Sequence, residues 1–186
     1  GNIEFTNLRA RLPIAGSDTW NRPCAILLGS HYDTKLFGSF EFVGANDGGS
    51  STGVLLDFAR VLGARKDAGQ FIELVFFDGE EAVVNYTMNE HTRLPEDGLY
   101  GSRHYVEEMR KLPSIKRPLF FILLDMVGDK DLKIEIPVNS TDTLTNLVLA
   151  TAKALNYEAQ FGRAKGEILD DHHPFLVSGI KAVDII

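Results

Sequence analysis

One segment near the middle of the chain, residues 71–82 (FIELVFFDGEEA), limits the possible folds most strongly. It begins as a short apolar run of β-branched and aromatic residues and stops abruptly at Asp78-Gly79-Glu80-Glu81. This pattern predicts a buried strand over residues 71–77 that ends in a loop. Neighbouring strand residues point to opposite faces, so Glu80 and Glu81 can share one site only where the strand has ended. Gly79 permits that turn.

Further apolar runs alternate with segments of helical spacing along the chain. The other predicted strands are residues 3–12, 24–29, 119–124, 132–136 and 182–186. The predicted helices are residues 50–62, 101–111 and 143–155, the last capped by Asp142, with a short turn or helix at 170–174. Residues 83–98 and 157–168 are predicted to be irregular. Strands that alternate with helices predict an α/β fold, a three-layer α/β/α sandwich around a mixed, mostly parallel sheet.

The composition is typical of one globular domain over residues 1–186, long enough to bury a core. The net charge is −7 and Lys/Arg runs are absent, which argues against nucleic acid or an anionic membrane as the main partner. No apolar segment approaches the roughly 20 residues of a membrane span. The single cysteine, Cys24, excludes an internal disulfide and is predicted to lie in the core.

Acids and histidines gather where the predicted strands end. They are His31 and Asp33, Asp47 at the start of the first long helix, Glu80 and Glu81, Asp125, and Asp170, Asp171, His172 and His173. The carboxyl ends of parallel strands meet at one edge of a sheet, so we expect these side chains to converge. Crowded carboxylates without a cation would raise one another's pKa and cost stability. Imidazole and carboxylate ligands without thiolate favour zinc over manganese or iron, so the sequence predicts a zinc site.

Six motifs carry a family resemblance. They are SHYDTK at 30–35, GANDGGSSTG at 44–53, FFDGEEA at 76–82, DGLYGSRH at 97–104, LLDMVG at 123–128 and DDHHPF at 170–175. In this order they closely resemble the zinc-dependent glutaminyl cyclases and their relatives, the di-zinc aminopeptidases. Both branches share the HYD, AND, EE and DH-x-PF motifs. LYGSRH and HYDTK resemble the cyclase branch more specifically.

The resemblance implies a role for each of several residues. Asp47 and Glu81 would be zinc ligands, and Glu80 would be the general base and acid. Asp125 and Asp170 resemble acids that share protons with that base in the cyclases.

The peptidase branch implies a second metal position. There, residues at the positions of His31 and Asp125 hold a second ion and Asp47 bridges the two ions. Asp33 would orient His31. Tyr86 falls where the cyclases carry a pocket Trp, so it would retain an aromatic wall of the substrate pocket.

Some features depart from the family pattern. The last zinc ligand of the family is a His shortly after the final strand, and a helix precedes the first strand; we expect both to lie outside this sequence. His172 or His173 is the alternative third ligand. Asp171 is predicted to cap the turn at 170–174 rather than to take part in catalysis. Asp184 stands where animal cyclases have a His.

The resemblance leads to three alternative functions. The first is cyclisation of the N-terminal glutamine of a peptide or protein to pyroglutamate with release of ammonia, with one zinc ion, outside the cytoplasm. The second is a metallo-aminopeptidase with two zinc ions. The third is a metal-free, non-catalytic domain of the same fold.

Overall fold

A computed structural model describes residues 3–12, 18–22, 24–65 and 71–186 of the chain. Within these ranges the strands are β1 (Leu8–Arg11), β2 (Ile26–His31), β3 (Ile72–Phe77), β4 (Met88–Asn89), β5 (Leu94–Pro95), β6 (Phe120–Leu124), β7 (Ile134–Ile136), β8 (Phe161–Arg163) and β9 (Lys181–Ile185). The α-helices are α1 (Gly49–Gly63), α2 (Tyr100–Arg110), α3 (Asp142–Ala154) and α4 (His172–Val177). Single 3₁₀ turns lie at Thr19–Asn21 and Ser114–Lys116.

Five strands form the central sheet in the order β1-β3-β2-β6-β9. The pairs β3-β2, β2-β6 and β6-β9 are parallel, and β1 lies antiparallel to β3 at the edge. This arrangement confirms the predicted mixed, mostly parallel sheet. The carboxyl ends of β2, β3, β6 and β9 therefore meet at one edge, where the acids and histidines follow the strands.

Helices cover both faces of the sheet, which confirms the predicted α/β/α sandwich. Alternate residues of β3 enter different cores: Val75 and Phe77 pack with residues of α2 and α4, whereas Leu74 and Phe76 pack with Leu55 of α1. The helix α3 packs against β7 and β9 through a third cluster. Because both faces are covered, β3 is apolar nearly throughout and does not alternate with polar residues.

Three short strands lie in segments that were predicted to be irregular. The ladder β4-β5 lies within residues 83–98, and β8 pairs in parallel with β7. These strands have two or three residues, too few to show a period of two, and β8 has Gly162 at its centre. The first strand also begins later than predicted, at Leu8, and ends at Arg11.

Two further sequence predictions can be compared with the fold. Cys24 is buried and free, as predicted. Asp142 is the first residue of α3 rather than its cap; the preceding Thr141 occupies the cap position, and its hydroxyl accepts a hydrogen bond from Ala182. In the part of the chain that the structure describes, no helix has the length and apolar character needed to cross a membrane.

Candidate active site

The turn after β3 presents Glu80 and Glu81 at the carboxyl edge of the sheet. Gly79 has a φ of +69°, a conformation that favours glycine, so the backbone changes direction before the two acids. Asp33, from the segment after β2, accepts a hydrogen bond from the backbone N–H of Glu80 and another from that of Glu81, each at 3.1 Å. Asp33 therefore fixes the backbone that carries both acids, a role that the sequence did not reveal.

His31 lies fully buried among three carboxylates. Its Nε2 is 3.1 Å from Oδ1 of Asp47 and 3.3 Å from Oδ1 of Asp125, while its Nδ1 is 3.5 Å from Oδ1 of Asp33. Burial acts to lower the pKa of His31, but the three carboxylates raise it overall. The carboxylates therefore favour the protonated form of this imidazole.

The same group has the donors and spacing of a metal site. One ligand atom each from His31, Asp47 and Asp125 lies within 4.8 Å of the others. A divalent cation could balance these carboxylates in place of the imidazolium proton, and an imidazole with two carboxylates is a ligand set that suits zinc. The residues present therefore fit a bound metal ion.

Glu81 adds a further carboxylate next to Asp47. Burial, followed by the charge of Asp47, raises the pKa of Glu81 to about 7. The ammonium of Lys35 opposes this shift from 3.9 Å, and it also donates to the carbonyl of Ala82. Lys35 is therefore an anchor of the turn as well as a charge at the rim. A cation between Asp47 and Glu81 would relieve their repulsion.

Glu80 and Asp170 form a buried acidic group beside these carboxylates. Burial, followed by the charge of Asp171, raises the pKa of Glu80 to about 9. The pKa of Asp170 lies well above its usual range, because the residue is buried and close to Asp184 and Glu80. The two acids are therefore suited to holding protons at neutral pH.

Tyr86 lies against Glu80 at the rim of the site. Its hydroxyl is 2.9 Å from Oε1 of Glu80 and 3.0 Å from the carbonyl oxygen of the same residue. Tyr86 as a residue is 38% exposed. Its hydroxyl adds a polar contact to Glu80, and the role of its ring as an aromatic wall of the substrate pocket stays a prediction.

The segment after Glu81 is fixed by a single carboxylate. Asp97 accepts hydrogen bonds from the backbone N–H groups of Val83, Val84 and Asn85 at 2.8, 2.7 and 3.1 Å. It also accepts one from the hydroxyl of Tyr100 at 3.0 Å. Asp97 therefore holds together the two ends of the loop that contains Tyr86. In the sequence, only the Asp-Gly dipeptide at 97–98 indicated a special role for Asp97.

A comparison with known proteins places this arrangement in a family. The profile of Peptidase family M28 matches residues 7–186. The chain belongs to peptidase family M28. A solved Acidobacteriales bacterium glutaminyl cyclase superimposes with a TM-score of 0.81 at 34% identity, over 97% of this chain and 57% of that one. A Porphyromonas gingivalis glutaminyl cyclase superimposes with a TM-score of 0.72 at 31% identity, over 98% of this chain and 68% of that one.

Curated sequences agree with the solved structures. A glutaminyl-peptide cyclotransferase-like protein of Bos taurus is 29% identical over 212 residues, which cover all of this chain and 52% of that protein. The chain spans about half the length of the curated relatives it matches. These matches confirm the resemblance to the glutaminyl cyclases within the zinc aminopeptidase fold.

Other buried polar residues of this M28 chain were missed from the sequence or interpreted differently. Asp171 occupies the cap position of α4, but its side chain makes no capping hydrogen bond and is fully buried instead. Asp171 therefore occupies the predicted cap position, but its side chain does not cap the helix. His172 and Asp184 are also fully buried, with Nδ1 of His172 3.6 Å from Oδ2 of Asp184. The sequence offered two signals for Asp184, its place within the apolar run of the last strand and the His that animal cyclases carry at this position.

The histidines considered as alternative ligands have other surroundings. His173 is half-buried, and its Nε2 is 2.8 Å from the carbonyl oxygen of Arg93. Burial lowers the pKa of His172 to about 3, so this imidazole is neutral at pH 7. Neither belongs to the group of candidate ligands that the described residues form.

Proposed function

We propose that the protein cyclises the N-terminal glutamine of peptides to pyroglutamate and releases ammonia. The observation that carries this proposal is the match, over nearly the whole chain, to solved glutaminyl cyclases and curated glutaminyl-peptide cyclotransferases. The site supports it, because a buried, protonatable carboxyl at Glu80 lies beside the carboxylates of Asp47 and Glu81. Peptide and protein N-termini are the proposed substrates.

Zinc is the proposed cofactor, with Asp47 and Glu81 as ligands. Catalytic zinc normally has three protein ligands, and we propose the His expected after the last strand as the third. When bound, zinc would polarise the γ-carbonyl of the glutamine and stabilise the developing oxyanion.

Glu80 is the proposed proton carrier. The α-amine of the substrate glutamine attacks the γ-carbonyl carbon of the same residue, and Glu80 takes a proton from that amine. Glu80 then gives this proton to the nitrogen of the side-chain amide, which leaves as ammonia. This shuttle needs a carboxyl that binds and releases a proton easily. Burial beside Asp171 raises the pKa of Glu80 and so favours the binding of the proton by the ionised carboxylate, and Asp33 holds the backbone of Glu80 in position.

One observation favours the second candidate, a metallo-aminopeptidase. His31, Asp47 and Asp125 lie close enough to hold a metal ion together. In a di-zinc peptidase these residues would bind the second ion, and Glu80 would activate a bridging water. The number of metal ions therefore separates the two reactions.

The test uses the natural protein that contains this sequence. Zinc is counted per chain, and the protein is incubated in parallel with Gln-peptides and with aminoacyl amides. Ammonia and pyroglutamyl peptide with one zinc would support the cyclase. Hydrolysis of aminoacyl amides with two zinc ions would overturn it in favour of the peptidase. No bound metal and no turnover would support a non-catalytic domain.

The metal ligands have their own test. We expect Asp47→Ala to lose bound zinc, because Asp47 belongs to both candidate metal positions. Asp131→Ala, a change of an exposed aspartate, should leave the zinc content unchanged. Full zinc content in the Asp47 variant would contradict this ligand assignment. The extracytoplasmic location stays a prediction.

A further inference from the structure

The hydroxyl of Tyr86 makes a direct contact with the proposed proton carrier. It lies 2.9 Å from Oε1 and 3.0 Å from the carbonyl oxygen of Glu80. Among the described residues, this is the only hydrogen bond to the carboxyl group of Glu80. A carboxyl at the end of three rotatable bonds keeps one orientation only if something holds it.

The ring of Tyr86 is itself held in place. The ammonium of Lys35 lies 5.7 Å from the ring centroid, and the same ammonium is tied to the carbonyl of Ala82. On another side the ring lies over Gly98, where an added Cβ would come within 2.4 Å of Cε1 of Tyr86. Gly98 also has a φ of +88°, so both its backbone and the ring require glycine there.

The backbone around Glu80 is fixed at the same time. Its N–H donates to Asp33 at 3.1 Å, and its carbonyl oxygen accepts from the N–H of Leu99 at 2.8 Å. With the backbone held at both ends, the remaining freedom of Glu80 is in its side chain, and Tyr86 is the described residue that hydrogen-bonds to its carboxyl.

We propose that the hydroxyl of Tyr86 positions the carboxyl of Glu80 for proton transfer. This inference rests on the proposed function in one respect, that Glu80 carries the proton. Tyr86 is then a positioning residue as well as an aromatic wall. The two roles differ in the part of the side chain they require, since a wall needs the ring and positioning needs the oxygen.

The experiment compares Tyr86→Phe with Tyr105→Phe in the zinc-loaded natural protein. Both changes remove a hydroxyl that donates to a buried glutamate, but Tyr105 donates to Glu73, near the start of β3 and away from Glu80. We expect Tyr86→Phe to lower kcat by about 10- to 100-fold, the loss typical of one hydrogen bond to an ionisable group, with KM changed by less than about twofold. Tyr105→Phe should leave both constants within about twofold.

Several results would overturn the inference. One is an unchanged kcat in Tyr86→Phe. Another is a rise in KM at constant kcat, which would mean that Tyr86 acts only as an aromatic wall of the substrate pocket. If the natural protein hydrolyses aminoacyl amides and releases no ammonia from Gln-peptides, the proposed function fails, and the same comparison is made on the hydrolysis reaction.

A crystal structure of the zinc-loaded protein gives a readout that does not depend on turnover. We expect the hydroxyl of Tyr86 to lie within hydrogen-bond distance of the Glu80 carboxyl, and that carboxyl to change its orientation in Tyr86→Phe. A hydroxyl out of reach, or an unchanged Glu80 in the variant, would overturn the positioning role whatever reaction the protein catalyses.

Discussion

Two buried glutamates lie at opposite ends of the same strand. Glu73, near the start of β3, is fully buried and contacts Arg9, Arg11 and Tyr105, with the two guanidinium groups at 2.5 to 2.6 Å. Glu80, just beyond the end of β3, is 8% exposed and receives a single side-chain hydrogen bond from Tyr86 among the described residues. Both were acids in or near an apolar run in the sequence.

The difference lies in the counter-charges. Two guanidinium groups and a hydroxyl surround the buried carboxyl of Glu73, so breaking these contacts would destabilise the fold. Among the described residues, no guanidinium or ammonium group pairs with Glu80, and burial together with Asp171 raises its pKa to about 9, although the charge of His31 opposes this shift. A buried acid with paired cations stabilises the sheet, whereas a buried acid among other acids is available for proton transfer.

The largest expected effect is at Glu80. In Glu80→Gln the neutral amide keeps the shape of the side chain but cannot carry a proton, so we expect turnover to fall by roughly 10²- to 10⁴-fold. Zinc content should be retained, and the free energy of unfolding should not decrease, because a neutral group is easier to bury than a carboxylate. Steady-state kinetics, metal analysis and denaturant unfolding measure the three quantities.

The matched control is Glu96→Gln, in the exposed part of the same loop. It should leave kcat unchanged. An active Glu80→Gln variant would show that Glu80 is not the proton carrier. A large loss of stability in this variant would show that the carboxyl of Glu80, like that of Glu73, stabilises the fold.

The sequence predicted the acids at the site better than their partners. The strand at 71–77 was recognisable because both of its faces are covered, and Glu80 and Glu81 because a glycine turn follows it. The partners of Glu73 were not recognisable, since Arg9 and Arg11 come from β1, whose pairing with β3 is set by the register of the sheet.

The buried acids near the last strand show the same limit. Asp171 and Asp184 read as a helix cap and a strand residue, because a one-dimensional pattern shows which residues are polar but not which face packs inward. Their burial depends on α4 packing against β6 and β9. The short strands β4, β5 and β8 likewise form because a partner is present and not through a pattern of their own.

The second expected effect is on stability at Glu73. Glu73→Gln removes the carboxylate from two guanidinium groups, one of them on the nearly buried Arg11, and leaves these charges uncompensated. We expect the free energy of unfolding to fall by about 3–5 kcal/mol, the usual cost of breaking a buried ion pair.

Denaturant unfolding checks this value, with Glu108→Gln as the control. Glu108 pairs with Lys111 on the surface, and its loss should leave the stability unchanged because exposed pairs contribute little. A Glu73 variant as stable as the Glu108 variant would mean that the ion pairs at the start of β3 do not hold the fold.

The smallest expected effect is a pH dependence that arises at Asp171. Burial raises the pKa of this carboxyl to about 7, above the value of about 4 that an unfolded chain gives it. Between these two values the folded protein binds more protons than the unfolded chain, so stability falls as the pH rises from about 4 to about 7. For this one group the fall between pH 5 and pH 8 is about 3 kcal/mol. Asn at position 171 cannot ionise, so in the metal-free Asp171→Asn variant the free energy of unfolding should decline with pH by that much less.

The control is Asp131→Asn, a change of an exposed aspartate, which should keep the full decline. Equal dependence of the unfolding free energy on pH in the two variants would mean that Asp171 is ionised in the folded protein and belongs with Glu73 among the compensated acids.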